Sequence, residues 1–187
     1  LCSAVGEPGS VGAPLPGIEL RLVDDDGLPP EVGDPGEIWI RGANLFSGYW
    51  PDGADGPNAD GWWATGDVGY LDDHGDLFLV DRLRDLILVS GFSVYPSEVE
   101  EVIEEVPGVV EVAVIGVADE RSRDEGSGEV VVAYVRAPGR APESVIDAIR
   151  AHCAERLARF KQPSRIEVVE ELPRTISGKV QRGRLRG

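Results

Sequence analysis

Apolar and polar residues alternate in three stretches of the first half of the chain: "IELRLVDDDGLPP" at 18–30, "GEIWIRG" at 36–42 and "GYLDDHGDLFLVDR" at 69–82. A period of two, broken by Asp and Gly, predicts antiparallel hairpins. The acid clusters Asp24–Asp26 and Asp72–Asp76 lack the spacing of a calcium loop and read as turns. Near residue 81 the pattern changes. "LRDLILVSG" reads as a strand, and Pro96 stands at a first helical position in "PSEVEEVIEEV". There Val99, Val102, Ile103 and Val106 recur at the spacing of one helix face, before Pro107 and Gly108 stop the helix. Two apolar strands follow, "VVEVAVIGV" (109–117) and "EVVVAYVR" (129–136), separated by the polar loop "DERSRDEGSGE" (119–129), which is expected at the surface. A second amphipathic helix over 143–158 carries Val145, Ile146, Ile149, Cys153 and Leu157 on one stripe, and "RIEVVE" (165–170) closes the pattern as a short strand. The fold class is α+β, a β-rich first part followed by a small α+β domain.

Length and composition narrow the reading. The 187 residues are 42% hydrophobic, enough for a core, and no apolar run reaches transmembrane length. Met is absent altogether, so the chain reads as a piece of something longer. Cys2 and Cys153 are far apart and His74 and His152 are the only histidines, which gives neither a disulfide framework nor a metal-ligand set and fits a reducing cytoplasm. His152 and Cys153, adjacent on a helix, diverge around it and suit a structural role. A net charge of −16 argues against nucleic acid as a partner. The charge is uneven. Residues 156–187 hold nine basic and three acidic residues, a net of +6, while residues 1–155 carry a net of −22. Such a basic end suggests an anionic ligand or an acidic neighbouring surface.

Arginine is used 16 times and lysine twice, and one of the lysines is Lys179 in "LPRTISGKVQRGRL" (172–185). A phosphate-binding P-loop is excluded there, because Pro173 occupies the place of its first glycine and Val180 that of its Ser/Thr. What remains is a compact ammonium on a glycine turn, flanked by Arg174 and Arg182, able to stabilise charge on a reacting carboxyl or phosphoryl group. By itself an exposed lysine is more often a solubilising charge. "GWWATGDVG" (61–69) places Asp67 in a glycine-bracketed turn, where a carboxylate can accept two hydrogen bonds from a vicinal diol or simply cap an Asx-turn. "DRLRD" (81–85) sets Arg82 and Arg84 on one side of an extended segment, where a domain linker or two ordinary surface arginines would fit.

In order and spacing, "GEIWIRGANLFSGYW" (36–50), "DGWWATGDVGYLDDHGDLFLVDRLRDLILVSGFSVYPSEVEEVI" (60–103) and "LARFKQPSRIEVVEELPRTISGKVQR" (157–182) resemble three signature blocks of the adenylate-forming superfamily. That superfamily comprises acyl-CoA synthetases, nonribosomal peptide adenylation domains and luciferases. The resemblance is to its C-terminal portion and spans nearly the whole chain. It implies that residues 1–80 are the β-structured remnant of the large N-terminal AMP-binding domain, 81–84 a hinge and 85–187 the C-terminal lid. It implies that Asp67 binds the ribose hydroxyls of ATP and acyl-AMP and that Arg82 contacts the nucleotide. Arg84 would be the hinge residue, where the family often has Asp or Lys. Lys179 would be the catalytic lysine that bridges the substrate carboxylate and the α-phosphate, and Gly91 in "VSGFSVYP" would lie by the pantetheine path. Phe92 stands where many relatives carry a second glycine, a variant associated with fatty-acyl-CoA synthetases.

The implied reaction joins a small-molecule carboxylic acid to ATP, giving acyl-AMP and pyrophosphate, and then to coenzyme A, giving acyl-CoA and AMP. The resemblance implies a long- or medium-chain fatty acid as the expected substrate class, and Mg²⁺ bound mainly by an N-terminal part that these residues lack. The piece alone is expected to be inactive, cytoplasmic in origin, free of an integral membrane segment and compatible with a homodimer. Two other readings stay open: an adenylation domain that loads a carrier protein, and a non-catalytic binding module of the same fold.

Overall fold

In the strand Gly36–Gly42, residues 36, 38 and 40 are buried and their neighbours partly exposed, the period of two that the sequence carries there. The computed structural model describes residues 7–48, 50–51, 54–118 and 128–186, so Cys2 and residues 119–127 of the polar loop lie outside the described residues. The chain divides into two units, Leu1–Arg84 and Asp85–Gly187.

The first unit is a four-stranded antiparallel sheet of β1 (Ile18–Val23), β2 (Gly36–Gly42), β3 (Trp63–Leu71) and β4 (Leu77–Arg82), in that order. Leu22, Ile38, Ile40 and Leu77 form its buried cluster. Both acid clusters are turns. Asp24 Oδ1 accepts the amides of Asp26 and Leu28 at 3.0 and 2.8 Å, and Asp72 Oδ1 those of His74 and Asp76 at 2.9 and 2.8 Å. One local expectation is corrected: Asp67 lies within β3 and not in a turn. The two glycines that suggested a turn serve a strand irregularity instead, since Gly66 has φ +73° and the β3–β4 register shifts between Val68 and Gly69. A Cβ on Gly69 would stand 2.5 Å from the Phe78 carbonyl oxygen, so only glycine lets the two strands close there.

A 3₁₀ turn at Leu83–Asp85 carries the chain across the boundary, and the second unit then begins with a tight hairpin of β5 (Ile87–Val89) and β6 (Phe92–Val94). The sequence pattern predicts a single strand over 83–91. The correction has a plain cause, because each arm is three residues long, too short to show a period. Helix α1 (Pro96–Glu104) and helix α2 (Pro142–Arg156) each start with a proline in the first turn. They pack on a three-stranded sheet ordered β7 (Glu111–Ala118), β8 (Glu129–Arg136), β9 (Arg165–Val168), in which β7 and β8 are antiparallel and β8 and β9 parallel. The parallel pair is joined through α2, as a parallel connection requires. Ile87, Val99, Ile103, Val114, Val135, Ile149, Cys153 and Ile166 belong to one buried core. Burial pushes the Cys153 thiol up to about 11. Residues 112–116 of β7 are all buried, and the C-terminal segment reaches back to the sheet, where the Tyr134 hydroxyl donates to the Leu185 carbonyl at 3.3 Å.

Candidate functional site

The first unit gathers three of the residues singled out in the sequence. Asp67 on β3 and Arg82 on β4 are direct cross-strand partners, with Arg82 Nε 3.4 Å from Asp67 Oδ1. Together with Trp63, Thr65, Gly66, Leu83 and Arg84 they line an open cavity of about 510 Å³. The strand is held in register by a relay from the neighbouring strand. Thr65 donates its hydroxyl to the Ile38 carbonyl at 2.8 Å and accepts the Asp67 amide at 3.1 Å, while Glu37 accepts the Gly66 amide at 3.2 Å and the Trp39 indole at 2.8 Å. The Asp67 side chain is 42% exposed, so the carboxylate is open to a ligand. Trp62 stands beside this wall with Arg21 and Arg41 stacked on its ring at 4.3 and 4.6 Å.

The second unit holds the other two. Gly91 lies at the tip of the β5–β6 hairpin, where Ser90 and Gly91 have φ of +50° and +85°, the left-handed pair that a two-residue hairpin turn demands. Nothing lies within 4 Å of where its Cβ would be. Phe92 beside it stacks on Phe160 with ring centroids 4.7 Å apart. Lys179 closes a small loop. The Thr175 amide donates to the Lys179 carbonyl at 2.8 Å, the Gly178 amide to the Thr175 carbonyl at 2.9 Å, and the Lys179 amide to the Thr175 hydroxyl at 3.1 Å. Gly178 has φ +85°, so this turn needs a glycine.

The arginines on either side of Lys179 are tied down. Arg182 grips both oxygens of Glu100 at 2.8 and 2.7 Å, and Glu100 also accepts the Val114 amide at 2.8 Å. Arg174 donates to the Gly178 carbonyl at 2.5 Å and to Glu111, whose other oxygen accepts from Arg136 at 3.0 Å. Lys179 has no acidic partner among the described residues. Sequence reasoning missed Glu100 and Glu111. They lie 82 and 63 positions from the arginines they hold, with no local pattern to announce them. His152 bonds Glu105 at 2.8 Å between the two helices, in keeping with a structural role. No group of three or more His, Cys, Asp or Glu that could hold a metal ion occurs among the described residues.

The hydrogen bond from Arg136, with the charge of Arg174 adding to it, holds the Glu111 carboxyl below its ordinary value of 4.5. A lowered folded-state value gives a stabilising contribution that is present above 4.5 and is lost as the pH falls through the folded-state value. Amide protection factors at 175–179 are therefore expected to hold from neutral pH down to the ordinary carboxyl value and to drop below it. Protection factors that stay flat through that fall would contradict the linkage.

Two family models match the chain: AMP-binding enzyme over residues 3–50 and AMP-binding enzyme C-terminal domain over residues 98–179. A long-chain-fatty-acid–CoA ligase from Yersinia pestis is 44% identical over 182 residues, which is 95% of this chain and 31% of that protein. ATP-bound MatB from Rhodopseudomonas palustris superposes with a TM-score of 0.83 at 36% identity over 96% of this chain and 35% of its own. The o-succinylbenzoate CoA synthetase of Bacillus subtilis, in complex with its acyl-adenylate intermediate, gives 0.80 at 34% identity, over 97% of this chain and 36% of its own. The mixed α+β architecture is thus that of adenylate-forming enzymes. The chain belongs to the AMP-binding enzyme family, and it spans about a third of the length of the relatives it matches.

Proposed function

We propose that this chain is the C-terminal portion of an ATP-dependent acyl-CoA synthetase that acts on a long- or medium-chain fatty acid in the cytoplasm. The observation that carries the reading is the presence in one chain of an exposed acid–arginine site and of an unneutralised lysine. Asp67, Arg82 and Arg84 line a single cavity, and Lys179 is a cation without an acidic partner among the described residues, between two arginines that have theirs. The name of the Yersinia pestis relative, and Phe92 beside Gly91, support a fatty acid, and the wider set of CoA ligases among the relatives supports coenzyme A.

On this reading residues 1–80 complete a larger nucleotide-binding domain, 81–84 is the hinge and 85–187 a lid that serves two half-reactions. Asp67 accepts the two ribose hydroxyls of ATP and then of acyl-AMP, and Arg82 steadies the nucleotide. Lys179 bridges the fatty carboxylate and the α-phosphate, offsetting charge as the carboxylate oxygen attacks phosphorus and pyrophosphate leaves. Rotation about Arg84 then replaces the Lys179 loop by the β5–β6 hairpin. Gly91, with open space in place of a side chain, leaves room for the pantetheine thiol to attack the acyl carbonyl and release AMP. The reaction's Mg²⁺ is assigned to residues upstream, and no metal ligand is assigned here.

The test is acid-dependent ATP–pyrophosphate exchange by the full-length enzyme across fatty, aryl and amino acids, followed by thioester formation with free CoA. Exchange with a fatty acid and acyl-CoA as product are expected. Exchange confined to amino acids, or acylation of a carrier protein and not of CoA, would overturn the substrate or the acceptor.

A further inference from the structure

The bonds inside the Lys179 loop fix its shape but not its attitude to the rest of the second unit. Inside the loop, Thr175, Ser177, Gly178 and Lys179 are joined to one another by their amides, hydroxyls and carbonyls, and the loop is exposed. Its attitude is set from outside by one guanidinium. Arg174 Nη1 donates to the Gly178 carbonyl, one residue before the lysine, and Nη2 donates to Glu111 Oε1 at the first residue of β7. Glu111 is fixed in turn, because its Oε2 accepts from Arg136 Nε, and Arg136 is its cross-strand partner on β8. The sheet beneath is rigid, since residues 112–116 are buried and the two strands pair along their full eight residues. A planar fork can span loop and sheet in this way, and a lysine ammonium on a flexible stem cannot.

We infer that the Glu111–Arg174 pair is a positioning device for Lys179, setting where the ammonium stands when acyl-adenylate forms and doing nothing for the thiol-attack step. The inference rests on the role proposed for Lys179. Arg182 does not duplicate the function, because its carboxylate partners Glu100 and Asp85 hold the segment that follows the loop and not the loop's own carbonyl. An acid at position 111 therefore acts on the reaction through two other residues, Arg174 and Gly178.

The test compares wild type, Glu111→Gln and Arg174→Lys in the full-length enzyme by three readouts. These are pyrophosphate exchange, thioester formation from supplied acyl-adenylate and CoA, and amide hydrogen exchange at Gly178 and Lys179. Displacing a catalytic group slightly costs one to two orders of magnitude in rate. Both variants are accordingly expected to lose about tenfold to a hundredfold in exchange kcat, with the KM for ATP within about twofold of wild type. Thioester formation should stay within about twofold of wild type, and the two amides should exchange faster while those of β7 and β8 keep their protection. Equal losses in both half-reactions would assign the pair a general structural role and overturn the inference, as would unchanged loop protection or undiminished exchange. A wild-type enzyme inactive with every acid would overturn the functional reading instead. Amide exchange would then still decide whether the pair holds the loop.

Discussion

Replacing Lys179 by alanine in the full-length enzyme is expected to lower acid-dependent pyrophosphate exchange by about a hundredfold to a thousandfold, the scale on which one preorganised charge contributes to a transition state. The expectation follows from what surrounds the lysine. Its neighbours Arg174 and Arg182 are committed to Glu111 and Glu100, so their charge is already offset. Lys179 alone in the loop can meet a new anion without first breaking an ion pair. Lys179→Arg should fare little better than alanine, because a planar fork replaces a single-point cation. Thioester formation from supplied acyl-adenylate should be spared in both variants, since the proposed second step uses the Gly91 hairpin. Exchange within about twofold of wild type in Lys179→Ala would sink the catalytic assignment.

Ile149→Ala should cost the second unit about 2–5 kcal/mol, the range for truncating a large buried aliphatic side chain. Ile149 is 0% exposed on α2 and belongs to the same buried cluster as Val114, Val135 and Ile166 from the three strands. The loss can be localised, because Trp39, Trp50, Trp62 and Trp63 are the four tryptophans of the chain and all precede Asp85. Denaturant-dependent amide exchange in α2, β7 and β8 should report the full drop, while tryptophan fluorescence follows the first unit and stays unchanged. A drop below about 1 kcal/mol would mean that the core collapses around the gap or that α2 packs differently.

What the sequence revealed depended on the range of the interaction. Helix faces, the proline start of α1 and the turns at Asp24 and Asp72 are built from near neighbours in sequence and are readable there, while the start of α2 at Pro142 lies one residue before the expected 143. The β5–β6 hairpin is not readable, because three-residue arms show no period and its turn is Ser-Gly, without the Asn-Gly or Asp-Gly signature. The sequence around Asp67 predicts a turn because Gly66 and Gly69 punctuate a strand in the way glycines punctuate a loop. At the site, the individual residues stood out through motif and resemblance, but their support did not. Glu111 and Glu100 are ordinary acids among 34, and only the fold brings them to Arg174 and Arg182.

The buried sulfur of Cys153 bears on the product of such an enzyme. An acyl-adenylate is an acylating agent, and any accessible thiolate in the protein would compete with the intended acceptor. Cys153 sits at 0% exposure with its thiol raised to about 11, so near neutrality it stays protonated and out of reach. Self-acylation at that position is closed off both by access and by protonation. The same property leaves it silent toward maleimides in the folded protein, so a cysteine introduced in the Lys179 loop could be labelled without interference from the core.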